Sequence, residues 1–340
     1  MGTALAGRIP LVCSHRPPGA PLSERVGYLT AQAGQPGSAS HRDNVARAAR
    51  VMNFAALIAS DTGIPELVAA LCWRQHEIFA SAGPLTPDIA VIALMPLVNI
   101  ARQQARQGDG NTAYRTLNCL YRAARQRGTA TIHGHRVNLA PLTCGPAHQE
   151  TCRELWAVLL TDGARALARE GRWTNAAKTM AAHHGIGTRL LDGRQTKIMS
   201  LLEQGHHQEA AAVIDATVPA EPWETAATAI LRTYCQQPET STARLHDAIA
   251  KLAATDAYAA RNALGHPMMR ARMTCHQERQ LTSVITAAGF GAGHLTPGHM
   301  DAITTAAGQA EEYLRVLLRQ QTSRKEAKTL LAPAAGRLTK

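Results

Sequence analysis

The chain is short of aromatic side chains and of long apolar runs. Of its 340 residues only 4% are Phe, Trp or Tyr, although 45% are hydrophobic. A core of this composition has to close with small aliphatic side chains at short range, which is typical of packed helices. No stretch approaches the roughly 18 uninterrupted apolar residues of a transmembrane helix. Residues 1–12 also lack a signal-peptide pattern, so the sequence favours a soluble, cytoplasmic protein.

The motifs of the common catalytic classes are missing as well. We find no G-x-S-x-G elbow, no glycine-rich phosphate loop and no H-E-x-x-H pair, because Gln75-His76-Glu77 lacks the second histidine. Glu311 and Glu312 are adjacent, and an ion pair with Arg315 on the same helix is predicted for this carboxylate pair. The sequence therefore favours a protein without catalytic activity and predicts no cofactor.

Basic side chains outnumber acidic ones in this sequence. Lys and Arg total 36 against 25 Asp and Glu, which gives a formal charge of +11. Net charge informs about partners rather than fold, and this sign favours an acidic partner. The seven cysteines are odd in number and scattered along a chain without export features, so reduced thiols are expected.

Composition divides the chain into four segments. Residues 1–42 are rich in Pro and Gly and predict a flexible N-terminal arm. Residues 43–255 carry a helical period that opens at Asp43, a predicted N-cap, and that contains an insertion over 128–149. Further helices are predicted over 256–322 and a basic, frayed tail over 323–340.

One pattern repeats inside the helical segment. Gly108, Gly171 and Gly205 each interrupt a helical period, and the last two are 34 residues apart. Each glycine has an apolar residue seven positions before it, an alanine five positions after it and a larger apolar residue nine positions after it. The positions concerned are Ala101, Ala164 and Ile198, then Ala113, Ala176 and Ala210, and finally Leu117, Met180 and Ile214. Glycine at a tight turn and small residues in the seam predict close-packed helical hairpins.

This pattern resembles the tetratricopeptide-repeat (TPR) superfamily of helix–turn–helix units. The units that match are Pro96–Arg127, Ala157–Gly187 and Leu191–Pro219, with a degenerate unit at Val51–Phe79. The resemblance implies an all-α fold, a right-handed α-solenoid of antiparallel helix pairs. Inside the 128–149 insertion, Thr129–Ile132 and Arg136–Leu139 flank His133-Gly134-His135 and predict a small β-hairpin.

In this superfamily the first helix of each unit lines the concave surface. The resemblance then places Arg102, Arg106, Arg165 and Arg169 in a common groove, with Asn99 as a further ligand. Guanidinium groups suit carboxylates and phosphates because they form bidentate hydrogen bonds. We expect an acidic peptide, an acidic partner protein or an anionic small molecule to bind there, in an adaptor, sensor or regulator such as the bacterial regulators that carry such repeats.

Three alternatives stay open. The arginine-rich stretch from Arg102 to Arg127 is compatible with nucleic acid, although it contains few aromatic residues and no base-reading motif. A metal site is not predicted, since the spacing of His133, His135 and the trio Cys144, His148 and Cys152 matches no standard zinc pattern. A biosynthetic enzyme or accessory protein with its pocket around 128–152 is the alternative function. The oligomeric state is not predicted.

Overall fold

The computed structural model describes residues 20–34, 40–140, 142, 145, 147–235 and 295–331. Within them the protein is mostly helical, as predicted, with a small two-stranded sheet. The elements are α1 (Leu22–Ala33), α2 (His41–Asp61), α3 (Pro65–Ser81), α4 (Pro87–Arg106), α5 (Gly110–Arg125), β1 (Thr129–Ile132), β2 (His135–Asn138), α6 (Ala147–Val158), a π-helical turn (Leu159–Gly163), α7 (Ala164–Arg169), α8 (Trp173–Ala182), α9 (Asp192–Glu203), α10 (His207–Asp215), α11 (Pro222–Cys235) and α12 (Pro297–Leu331). None of the described helices is long and apolar enough to cross a membrane.

The chain divides into two compact units. Of the described residues, unit 1 contains 20, 104–118 and 156–235, and unit 2 contains 21–34, 40–103, the described part of 119–155 and 295–331. In unit 2 the last described helix, α12, packs against α1, α2 and α3, which are the first three helices of the described residues. Repeats of an open solenoid contact only their sequence neighbours. This long-range packing is therefore an addition to a repeat pattern, and the solenoid arrangement stays a prediction.

The turn glycines lie where the repeat predicts them. Gly108, Gly171 and Gly205, together with Gly63, all have a positive φ and follow a helix. At each turn the glycine N–H donates to the carbonyl three residues earlier, and the next N–H donates to the carbonyl five residues before it. These two hydrogen bonds define the Schellman motif, in which glycine is preferred because the residue is left-handed. The prediction of glycine-dependent helical turns is confirmed.

The apolar positions of the pattern form the core. Every residue seven before, five after and nine after Gly108, Gly171 and Gly205 is at most 1% exposed. In unit 1 they contribute to a cluster of Leu160, Ala164, Leu167, Ala176 and Met180. The degenerate unit behaves in the same way, since Ala56 and Val68 are 3% and 2% exposed. The predicted burial is confirmed at every one of these positions.

Two further Schellman turns use a residue other than glycine. Arg127 has φ 50° and His184 has φ 56°, and both turns have the same pair of hydrogen bonds as the glycine turns. A left-handed conformation costs a residue with a Cβ atom about 1–2 kcal/mol. Since the glycine pattern was the only turn signal available, these two turns were not predicted.

We expect Arg127→Gly and His184→Gly each to raise the free energy of unfolding by about 1 kcal/mol, because glycine removes the cost of the left-handed backbone. Gly205→Ala is the matched opposite change, since a Cβ there meets no atom within 4 Å and only the backbone conformation is affected. Urea unfolding followed by circular dichroism measures all three. A decrease in stability for both glycine variants would contradict the assignment.

The N-terminal prediction needs correction. A flexible arm over residues 1–42 is wrong for Leu22–Ala33, which form α1 with Leu22, Val26 and Leu29 buried. These three apolar residues recur at helical spacing, but the surrounding Pro and Gly obscured the period. Helix α2 begins at His41, and its N-cap is Ser40, whose Oγ accepts the Asp43 N–H at 3.2 Å. Asp43, the predicted N-cap, lies in the first turn instead. Residues 1–19 and 35–39 lie outside the described part of the chain.

The hairpin forms as predicted, and α12 extends further than predicted. Strands β1 and β2 pair antiparallel, as predicted, across a two-residue turn at His133-Gly134. On α12 the Arg315 Nη2 donates to Glu311 Oε1 at 2.8 Å, which confirms the predicted ion pair. This helix continues to Leu331, past the predicted start of a frayed tail at 323. The helices predicted over 256–294 lie outside the described residues.

Candidate functional site

Asn99 and Arg102 lie together on α4. The Arg102 Nη1 donates to Asn99 Oδ1 at 3.2 Å, and Asn99 Nδ2 donates to Asn53 Oδ1 on α2 at 3.1 Å. Arg102 is exposed and Asn99 is half-buried. The Asn99 amide, which is itself held by Asn53, orients the guanidinium group of Arg102. This arrangement suits binding of an oxyanion by Arg102, with Asn99 as a support for the arginine.

Arg165 has an internal carboxylate partner. Its Nε donates to Asp192 Oδ1 at 2.6 Å, and the Asp192 side chain is only 10% exposed. Burial raises the pKa of Asp192, and the Arg165 guanidinium opposes part of that rise. An arginine that neutralises a buried acid is not available to an external anion without cost. The sequence missed this pair because Asp192 lies 27 positions away in the next helical hairpin.

Arg106 and Arg169 are exposed at the carboxyl ends of α4 and α7. Cations are favoured at that end of a helix because the backbone carbonyls there are unsatisfied. Arg106, Arg165 and Arg169 belong to unit 1, whereas Arg102 belongs to unit 2. The convergence of all four arginines on one groove stays a prediction.

Further arginines follow on α5 and the hairpin. Arg115, Arg122, Arg125, Arg127 and Arg136 are all exposed. The Arg125 guanidinium carbon lies 5.8 Å from the centre of the Tyr121 ring, a cation–π contact. No Asp or Glu occurs between Asp109 and Glu150 in the sequence. This stretch therefore carries positive charge without acidic side chains of its own.

The histidines of the insertion shape the hairpin. His133 occupies the first turn position with φ 49°, and His135 stacks on Trp73 of α3 with ring centres 3.9 Å apart. Next to Trp73, His76 is 6% exposed and its Nδ1 has no hydrogen-bond partner. Burial, and then the charge of nearby His135, lowers the pKa of His76 to about 4. His76 is therefore a neutral imidazole near pH 7, and sequence reasoning missed its contact with the hairpin.

The cysteine and histidine trio is only partly described. Cys152 Sγ lies 3.9 Å from both ring nitrogens of His148, one turn earlier on α6. Cys144 lies outside the described residues. Within the described part of the chain, no group of three or more His, Cys, Asp or Glu side chains is placed to hold a metal ion.

A buried polar network surrounds the start of α9. Every residue from Asp192 to Thr196 is buried. The guanidinium of Arg194 donates to Gly187 O at 2.7 Å, Val213 O at 2.8 Å and Thr217 Oγ1 at 2.9 Å. These bonds fix the loop between α8 and α9 to the end of α10. The network has a structural role. The polar residues at the start of α9 gave no sign in the sequence that they would be buried.

Comparison of the chain with protein-family models, with curated proteins and with solved structures gives no match.

Proposed function

We propose that this protein binds an acidic peptide, an acidic partner protein or an anionic small molecule through arginines on a TPR-like scaffold of helical hairpins. It acts as an adaptor, sensor or regulator and not as a catalyst. One observation carries the proposal: between residues 102 and 149 every arginine is exposed, and the stretch contains a single acidic residue, Asp109. The arginines concerned are Arg102, Arg106, Arg115, Arg122, Arg125, Arg127 and Arg136.

The chemistry of these side chains supports an oxyanion ligand. A guanidinium group is charged at every physiological pH and presents paired N–H donors that match a carboxylate or phosphate. A hydrogen bond to a charged group contributes about 1.5–3 kcal/mol when it is shielded from water. Excess positive charge also accelerates the approach of an acidic ligand.

The scaffold supports the same proposal. Repeated Schellman turns and seams of buried alanines hold the helices rigidly, so side chains on their outer faces keep a fixed spacing. On α4 the Asn53 and Asn99 amides further orient Arg102. Ordered donors bind with a smaller loss of conformational entropy than mobile ones.

Charge reversal on α4 tests the proposal. We expect Arg102→Glu/Arg106→Glu to weaken binding of a fluorescein-labelled decaglutamate peptide at least about tenfold, because two charge-assisted hydrogen bonds are lost. Arg169→Glu is expected to act in the same direction. Fluorescence anisotropy gives the Kd, and circular dichroism confirms the fold.

Arg50→Glu is the matched control because Arg50 is an exposed arginine of α2. This control should leave the Kd within about twofold after allowance for its change in net charge. Arg165 is not a suitable position for this test, because its replacement leaves the buried Asp192 carboxylate without its partner. An unchanged Kd in the α4 double variant would reject the proposal.

A further inference from the structure

The β-hairpin has one face on the protein and one face in solvent. Ala130, Ile132 and Val137 are buried, and their side chains alternate with exposed ones along the strands. The exposed residues are paired across the hairpin, Thr129 with Asn138 and Thr131 with Arg136. Together with the stack of His135 on Trp73, this packing holds the hairpin in place.

Backbone groups on the outer edge of β2 face away from β1. The Leu139 N–H donates to Gly128 O at 3.0 Å, so Gly128 and Leu139 oppose each other as a hydrogen-bonded pair. Hydrogen-bonded and non-hydrogen-bonded pairs alternate in an antiparallel ladder. Arg136 and Asn138 then belong to the non-bonded pairs, and their N–H and C=O groups face away from β1. Within the described residues neither has a backbone hydrogen bond outside the hairpin.

Exposed arginines lie on β2 and just before β1 in the chain. Arg136 is on β2 itself, and Arg125 and Arg127 precede the hairpin at the end of α5. All three are exposed, and no acidic residue occurs between Asp109 and Glu150. Arg127 also holds a left-handed conformation that Gly63, Gly108, Gly171 and Gly205 adopt at the equivalent turns. The chain thus has a guanidinium group at a position where glycine would be more stable.

We propose that β2 is a docking edge for an extended acidic peptide segment of a partner protein, which adds a third strand next to Arg136–Asn138. Its backbone pairs with the N–H and C=O groups of Arg136 and Asn138, its acidic side chains face Arg136, and the positive charge of Arg125 and Arg127 adds to the attraction. This mode of recognition uses main-chain bonds for affinity and side chains for specificity. The inference rests on the proposed function for the sign of the partner's charge. An alternating row of donors and acceptors fits a peptide backbone, whereas a phosphodiester backbone offers acceptors only.

Two peptide probes of equal charge distinguish strand addition to β2 from charge attraction alone. The first is a fluorescein-labelled (Glu-Val)5 peptide, and the second is the same peptide with N-methylated glutamates, which keeps its carboxylates but loses alternate N–H donors. We expect the methylated peptide to bind the full-length protein at least about tenfold more weakly, since it loses hydrogen bonds to β2. Equal affinity for both peptides would overturn strand addition.

Variants of β2 test the same edge from the protein side. Asn138→Pro removes an outward N–H and leaves the hairpin ladder intact, as proline does on an edge strand. Asn138→Ala is its control, because both variants lose the bond from Ala140 N–H to Asn138 Oδ1. We expect the proline variant to bind (Glu-Val)5 about fivefold or more weakly than the alanine variant. On binding, the amides of Arg136 and Asn138 should become protected from hydrogen exchange.

Replacement of Arg127 should change peptide binding and folding stability in opposite directions. We expect Arg127→Gly to bind (Glu-Val)5 more weakly although it unfolds at a higher urea concentration, and Arg136→Glu to weaken binding about tenfold or more. Arg50→Glu is the control for net charge. Unchanged binding in both hairpin variants overturns the inference.

The failure of this inference can be distinguished from that of the proposed function. If decaglutamate binds through Arg102 and Arg106 while (Glu-Val)5 shows no dependence on β2, the docking edge is rejected and the proposed function stands. If no acidic peptide binds, the docking edge is rejected together with the acidic peptide as a ligand in the proposed function. If labelled oligo(dT) binds through Arg136 and (Glu-Val)5 does not, the partner is a nucleic acid and the peptide proposal is wrong.

Discussion

Gly110→Ala is expected to lower the free energy of unfolding by about 3 kcal/mol or more, because the helices cannot approach as closely with a Cβ at this position. Gly110 begins α5, and a Cβ built on it would lie 2.8 Å from the carbonyl carbon of Ala166 on α7 and closer still to the carbonyl oxygen. These are backbone atoms, which cannot rotate aside. The cost is purely steric, since Gly110 is not among the residues with positive φ.

Gly193→Ala is expected to have a similar effect on α9. A Cβ there would lie 2.8 Å from the carbonyl carbon of Gly185 and would overlap its oxygen. Gly308→Ala on α12 is the matched control, because no atom lies within 4 Å of the added Cβ. It should raise the free energy of unfolding by about 0.5–1 kcal/mol. Urea unfolding of the three variants measures the contrast, and equal shifts for all three would show that steric contact is not the cause.

These contacts also show which part of the packing the sequence could predict. The glycine turns and the buried residues at fixed distances from them are local features, so a pattern of spacing was sufficient. Close backbone approach was expected between small residues across a hairpin. Among the described glycines, the closest approaches join Gly110 to Ala166 and Gly193 to Gly185, and the repeat pattern did not include those pairs.

The parts that were not predicted depend on partners distant in sequence or on weak local signals. Trp73 stacks on His135 from a different element, and the buried Asp192 pairs with Arg165, which lies 27 positions earlier in the chain. Arg127 and His184 end their helices without the glycine that marked the other turns. The β-hairpin was predictable because strand-forming residues flank a short turn at His133-Gly134.

For the candidate site, the sequence predicted residue types better than their roles. Arg102, Arg106 and Arg169 are exposed as a binding role requires, and Asn99 contacts Arg102. Arg165 carries the same pattern but has a buried acid as its partner. An arginine that binds a ligand and one that neutralises a core carboxylate look alike in a sequence, and a stability measurement separates them.

Arg165→Met is expected to lower the free energy of unfolding of the protein by about 3–5 kcal/mol near pH 7, because it leaves the Asp192 carboxylate buried without its partner. Asp192→Asn alone should cost less, since the Arg165 side chain is 36% exposed and water can solvate its charge. In the Arg165→Met/Asp192→Asn double variant much of the loss should be recovered. Urea unfolding of the four proteins forms a double-mutant cycle that isolates the pair.

The pH dependence identifies the cause of the loss. Burial raises the pKa of Asp192, and the loss of Arg165 removes the main effect that opposes this rise. A carboxyl group with a raised pKa binds its proton more tightly in the folded state than in the unfolded state, so its contribution favours folding as the pH falls. The deficit of Arg165→Met should therefore be largest above the folded-state pKa and shrink as the pH is lowered towards about 4, the usual pKa of an unfolded aspartate. A deficit that stays constant over this range would attribute the loss to packing of the arginine side chain and not to the buried charge.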